Sequence, residues 1–223
     1  AVVFRAQSAE QLAAADINSL LKRSTSSPKQ AMLPQSETLV AFSSVKNPED
    51  SYKPETKVEN PCQAEPTVLF GCRPCDARGF VVLDRPYLEG PFKDPYYGAR
   101  RQATVIVSFA CPQAYSTCFC HWLGSNPSDK EGSDVLLTAL EDGFSLEAVT
   151  EKGAELLAKG AFTAADDKAP AIEEAHKKAL ATLDEAPALE DVPEKVAARF
   201  TDAAFWTNET VKCLSCGCCT YIC

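Results

Sequence analysis

Eleven cysteines punctuate a chain of 223 residues, and five of them fall within the last eleven positions. A disulfide framework is expected of secreted, usually short chains with an even cysteine count. Here the count is odd, and no stretch reads as a signal peptide or twin-arginine leader. Cysteines two or three positions apart also ligate metals more readily than they pair with each other. Thiol ligation is therefore the expectation, and the spacings say of what.

Cys213, Cys216, Cys219 and Cys223 form a C-x2-C-x2-C-x3-C run, the spacing of a bacterial ferredoxin [4Fe–4S] site. Such a run must aim three thiolates at three corners of one cube from a tight loop, and the small residues Ser215 and Gly217 allow the backbone to approach. Its fourth cysteine commonly serves a second cluster whose own run lies later, and a proline usually follows it. Neither is present here, so the module reads as truncated and the chain as a piece of something longer. A zinc knuckle is the competing reading. Cys218 stands outside the pattern and reads as a bystander.

The mid-chain group is less specific. Cys72-Arg-Pro-Cys75 lies between an apparent strand and an apparent helix, where a thioredoxin-like redox pair would also sit. Cys111, Cys118 and Cys120 shift the balance toward a cluster. They would meet the first pair if the strands at 67–70 and 103–109 are neighbours ending at one sheet edge. Which of Cys72 and Cys75 joins them stays open on spacing alone. His121 follows Cys120, and a surface position is the commoner fate of such a histidine, with a place beside the site as the alternative. Phe119 and Trp122 fit an apolar wall for the site or a place in the core.

Ser8 to Arg23 is expected to be one amphipathic helix with a Ser8–Gln11 capping box and an apolar stripe of Leu12, Ile17, Leu20 and Leu21. Residues 44–66 read as a surface loop. Asp76 is expected to N-cap a helix to about Arg85, closed by Pro86, and Asp94-Pro-Tyr-Tyr97 to start another. Glu141-Asp142-Gly143 marks a hairpin between 134–140 and 144–149. Helices are expected near 151–159, 169–183 and 192–207. The class is α+β: a mixed α/β N-terminal domain over 1–207 carrying a cluster site, then a helix into a ferredoxin-like module at 208–223.

The net charge of −9 argues against nucleic-acid binding, and the longest apolar runs are too short to cross a bilayer. The charged loops at 44–60 and 163–175 are candidate docking faces, although solvated surface is the plainer reading. No nucleotide fingerprint, phosphate loop or acid–base pair appears, so no residue is assigned a catalytic role.

Several motifs together resemble one family. They are Pro34-Gln-Ser-Glu37, Gly71-Cys-Arg-Pro-Cys-Asp76, Asp94-Pro-Tyr-Tyr97 with Arg100-Arg101, Cys111 to Cys120, Asp134-Val-Leu-Leu-Thr138, and Cys213-Leu-Ser-Cys-Gly217. Over most of 30–223 the chain is similar to the iron–sulfur electron-transfer subunits of cytoplasmic sulfhydrogenase, where it is the β chain, and of anaerobic sulfite reductase. The resemblance implies a further [4Fe–4S] cluster on Cys75, Cys111, Cys118 and Cys120, with Cys72 at a place where an aliphatic residue is expected. It implies a cytoplasmic wire linking a flavin-containing NAD(P)H oxidoreductase partner to a catalytic redox subunit, with neither nucleic acid nor membrane insertion involved. A thiol–disulfide oxidoreductase using Cys72 and Cys75 is the alternative.

Overall fold

The computed structural model describes residues 8, 10, 11, 14–22, 24, 26–47, 52–62 and 64–219. By its internal contacts the chain divides into two compact units, residues 1–184 and 185–223.

The first unit is built on a four-stranded sheet of β3 (Thr67–Cys72), β4 (Thr104–Phe109), β5 (Val135–Leu140) and β6 (Gly143–Ala148), adjacent in that order. β3, β4 and β5 run parallel, and β6 returns antiparallel through the hairpin at Glu141-Asp142. Parallel strands buried on both faces read as continuous apolar runs, as Val105 to Val107 and Val135 to Leu137 do. The strand and hairpin expectations hold, and the mixed α+β class with them.

Two helices carry the crossover from β3 to β4, namely α1 (Pro74–Asp84) and α2 (Pro95–Ala103). The Asp94 carboxylate caps α2 by accepting the N–H groups of Tyr96 and Tyr97, both at 2.9 Å. Asp76 is not the N-cap of α1, as expected from sequence. It lies in the first turn, and its carboxylate accepts the Arg73 N–H at 3.3 Å, because Pro74 starts the helix two residues earlier. Nor does Pro86 stop the chain's winding, since a π turn runs on over Arg85–Glu89. Met32, Leu69, Cys72, Ala77, Phe80, Tyr97 and Ile106 form a core cluster joining these helices to the sheet.

Asp134 ties β4 to the hairpin. Its carboxylate accepts the Ile106 N–H at 2.8 Å and the Thr150 hydroxyl at 2.5 Å. α3 (Glu151–Leu157) begins at Thr150, and α4 (Ala169–Leu180) packs on β5.

Two expectations fail here. Residues 44–66 are not a plain loop, because β1 (Ala41–Val45) pairs antiparallel with β2 (Glu55–Glu59). The ribbon escaped notice because its apolar residues, Phe42, Val45 and Val58, face solvent and leave no buried period to read. The single helix at 8–23 is interrupted. The Ser8–Gln11 capping box forms, but Asp16 draws the Asn18 N–H to its own carboxylate at 2.9 Å, and Ile17–Leu21 is a 3₁₀ helix. Ile17 and Leu21 are exposed, and Leu12 lies outside the described residues.

In the second unit the expected helix at 192–207 is two helices, α5 (Val192–Arg199) and α6 (Ala203–Glu209), with Asp202 capping the latter through the Phe205 N–H. None of its described residues is fully buried.

A candidate cluster site at the carboxyl edge of the sheet

Parallel pairing brings the carboxyl ends of β3 and β4 to one edge, and the mid-chain cysteines are delivered there. Gly71 sits at a bulge in β3 with φ 87°, a left-handed conformation that a side chain would strain. Past the bulge, Cys72 turns into the core at 0% exposure, and Cys75 emerges at the start of α1. Cys111 lies two residues beyond β4, its N–H bonded to the Pro127 carbonyl at 2.8 Å. Cys118 and Cys120 follow on the same long loop. The 3₁₀ helix Cys120–Leu123 is closed by Gly124 in the left-handed region, φ 73°.

The electrostatics of the thiols follow their burial and their charged neighbours. Cys75 is still reached by solvent, yet partial enclosure, followed by Asp76, Cys111, Cys120 and Cys118, pushes its pKa up to about 12. Burial foremost, with Cys118, Cys120 and Asp76, raises Cys111 to about 11, against the opposing pull of the Arg73 guanidinium. Cys120 is raised by burial and by Cys118, against the Cys120 and His121 backbone N–H groups. Cys72 is also raised, by burial first and then by Asp76 and Cys75. Cys75 thus feels Cys111, Cys120 and Cys118, Cys111 feels Cys118 and Cys120, and Cys120 feels Cys118. Cys72 is sealed among apolar side chains.

This donor set suits a soft, multi-iron group. Four sulfurs and no carboxylate ligand favour iron–sulfur or zinc chemistry. Among the described residues no three His, Cys, Asp or Glu side chains come together as they would around a single metal ion. The Cys118 sulfur takes the Tyr115 N–H at 3.3 Å, the kind of hydrogen bond that steadies a cluster thiolate. The raised pKa values belong to thiols without a cation, and a bound metal reverses that balance by drawing the protons off.

Phe119 and Trp122 stand beside these thiols with ring centroids 6.0 Å apart. Both are exposed, so neither belongs to the core. His121 is half-buried, and both its ring nitrogens are shut off from solvent. Arg73 and Asp76 also belong to the site, and only their place inside the Gly71–Asp76 motif hinted at it. Cys62 lies elsewhere, its sulfur 3.2 Å from the Pro95 carbonyl.

The C-terminal group is differently placed. Cys213, Cys216, Cys218 and Cys219 are all exposed, on the segment after α6. Ser215 (φ 53°) and Gly217 (φ 70°) take left-handed conformations, and the Ser215 N–H reaches the Cys213 sulfur at 3.4 Å. Cys223 lies outside the described residues. Among the described residues no helix is long and apolar enough to cross a membrane.

A mixed sheet with helices packed on it, and with cysteines delivered to its carboxyl edge, defines an α+β protein. Over 160 residues the chain is 32% identical to sulfhydrogenase 2 subunit beta of Pyrococcus furiosus, a match covering 70% of this chain and 46% of that protein. The chain belongs to the sulfhydrogenase β-subunit family. It spans about half the length of the curated relative it matches. No family model and no solved structure matches it.

Proposed function

We propose that this chain is an electron-transfer component of a hydrogenase-type redox complex, holding a [4Fe–4S] cluster on Cys75, Cys111, Cys118 and Cys120. The observation that carries the reading is that β3 and β4 pair in parallel, so Cys75 at the start of α1 and Cys111, Cys118 and Cys120 on the loop after β4 follow the same edge of the sheet. A bound cluster would supply one-electron storage with little structural rearrangement. The protein's own residues supply the rest. Gly71 and the start of α1 orient Cys75, and the loop between β4 and β5 orients the other three. The Arg73 guanidinium favours the anionic form of Cys111. Phe119 and Trp122 present an apolar rim that limits water at the thiols.

Residues 208–223 are proposed as the start of a ferredoxin-like module. In it Cys213, Cys216 and Cys219 would ligate one cluster, and Cys223 would serve a companion. The complex is proposed to be cytoplasmic and to use this chain to link a flavin-containing NAD(P)H oxidoreductase partner to a catalytic redox subunit.

The thiol–disulfide alternative is disfavoured on chemical grounds. An attacking cysteine needs an exposed thiol of lowered pKa. Cys72 is buried, and Cys75 is pushed up to about 12.

Anaerobically purified full chain should be brown, contain iron and acid-labile sulfide, and give a reduced-cluster EPR spectrum. A colourless protein that folds with zinc alone, or with no metal, overturns the proposal.

A further inference from the structure

Among the described residues, the only buried side-chain nitrogens or oxygens left without a hydrogen-bond partner are Nδ1 and Nε2 of His121. Such groups are rare because a buried donor gives up its water and gains nothing in return. A neutral imidazole carries one N–H donor and one acceptor, so both halves of this ring's hydrogen-bonding capacity are unspent.

The turn that carries the ring is held firmly. The Gly124 N–H donates to the His121 carbonyl at 3.3 Å, and the Ser125 N–H donates to the Cys120 carbonyl at 3.1 Å. Arg78 clamps the turn's end by donating Nη1–H to the Leu123 carbonyl at 2.8 Å. The ring stands edge-on to Trp122, with centroids 6.1 Å apart and planes at 70°. His121 is also the residue directly after Cys120, whose sulfur already takes the His121 backbone N–H. The fold therefore holds a partnerless donor on the residue directly after Cys120 while offering it no polypeptide acceptor.

We infer that the imidazole N–H of His121 donates a hydrogen bond to a sulfur of the cluster held by Cys75, Cys111, Cys118 and Cys120, and thereby raises that cluster's reduction potential. The inference rests on the cluster reading above. Its physical basis is general: a donor aimed at a cluster sulfur stabilises the more negative, reduced state, and such hydrogen bonds are among the levers that set cluster potentials. His121 is on this account a positioning and tuning residue and not a ligand.

The test follows the EPR signal that Cys111→Ala removes, in the full chain and in the variants His121→Phe, His121→Ala and His121→Asn. Iron and sulfide content, midpoint potential and pulsed-EPR coupling to ¹⁵N-labelled histidine are read for each. The expected result is unchanged iron and sulfide, a midpoint shifted to lower potential in the Phe and Ala variants, and partial restoration by Asn, which keeps an N–H donor. Weak nitrogen coupling should be present in the parent chain and absent from the Phe and Ala variants. Full cluster content with an unmoved midpoint and no histidine coupling overturns the inference alone. Strong coupling, with loss of the cluster on substitution, overturns it in favour of ligation. A variant that fails to fold in the Phe form is judged on Asn, where an unmoved midpoint without nitrogen coupling in the parent is again contrary. Absence of iron from the parent chain overturns the cluster reading, and this inference with it.

Discussion

The two cysteine groups are organised in opposite ways. The C-terminal group has a spacing that names its ligand almost by itself, yet its cysteines are exposed in a unit with no fully buried residue among those described. The mid-chain group has an ambiguous spacing, yet it is set at the edge of a sheet whose strands pack into a buried core. Information about a thiolate site can thus reside in the local sequence or in the tertiary fold. Where no core exists to pre-place the ligands, cluster binding must itself supply the folding free energy, as in other small metal-dependent modules.

The largest effect should come from breaking each group in turn. Cys111→Ala should abolish the EPR signal of the mid-chain cluster and lower the iron count by about one cluster, leaving any C-terminal signal in place. Cys213→Ala should do the reverse. An unchanged iron count in the first variant refutes the assignment. Chelation sharpens the contrast. Stripping iron should leave the circular dichroism of the first unit largely intact, because its core does not depend on metal, and should unfold more of residues 208–223.

A second effect tests whether the fold places the mid-chain thiols. Gly132 has φ 80°, and a Cβ there would lie 2.2 Å from the Ala77 carbonyl oxygen on α1, two residues after Cys75. Gly132→Ala should therefore cost about 1–3 kcal/mol or more in thermal or denaturant unfolding, through overpacking and backbone strain. It should also reduce cluster retention at the mid-chain site, while the C-terminal group is unaffected.

Cys72 separates core from ligand on a smaller scale. Cys72→Ala removes a buried sulfur and should cost about 1 kcal/mol of stability with iron and sulfide content unchanged. Cys75→Ala should leave stability nearly the same and remove the cluster. Loss of the cluster in the first variant and its retention in the second would reverse the assignment.

These contrasts also mark what could be read from the residues alone. The parallel strands at 67–72 and 104–109 were legible as apolar runs, and their common edge followed from topology. The hairpin was legible because Asp142-Gly143 lies between two apolar strands. The β1–β2 ribbon was not, since both its faces are wet. The break near Asp16 was not, since a carboxylate competing for a backbone N–H leaves the helical pattern intact. Spacing alone offered Cys72 and Cys75 as equals and the family resemblance favoured Cys75; the bulge at Gly71 sends the first inward and the second out. His121 was marked in sequence only by its place after Cys120, and the lack of a partner for its ring nitrogens is visible only in three dimensions.

The smallest expected effect lies outside both groups and bears on the stability of the unit that carries the mid-chain site. His176 on α4 shares a hydrogen bond with the Thr138 hydroxyl of β5 at 3.0 Å. Its pKa is lowered, by burial first and further by Lys130, against the opposing influence of Glu147. The folded state therefore prefers the neutral ring. Below the unfolded-state pKa of about 6.5 the unfolded chain binds a proton that the folded chain resists, so stability falls as pH drops from there to the lower folded value. His176→Gln cannot take up that proton and should flatten this limb of a stability–pH curve measured by urea unfolding between about pH 7 and pH 5. Because the C-terminal unit contains no histidine, the response should be confined to the first unit. A parent and variant with parallel curves across that range would show that the α4–β5 contact does not carry the pH dependence.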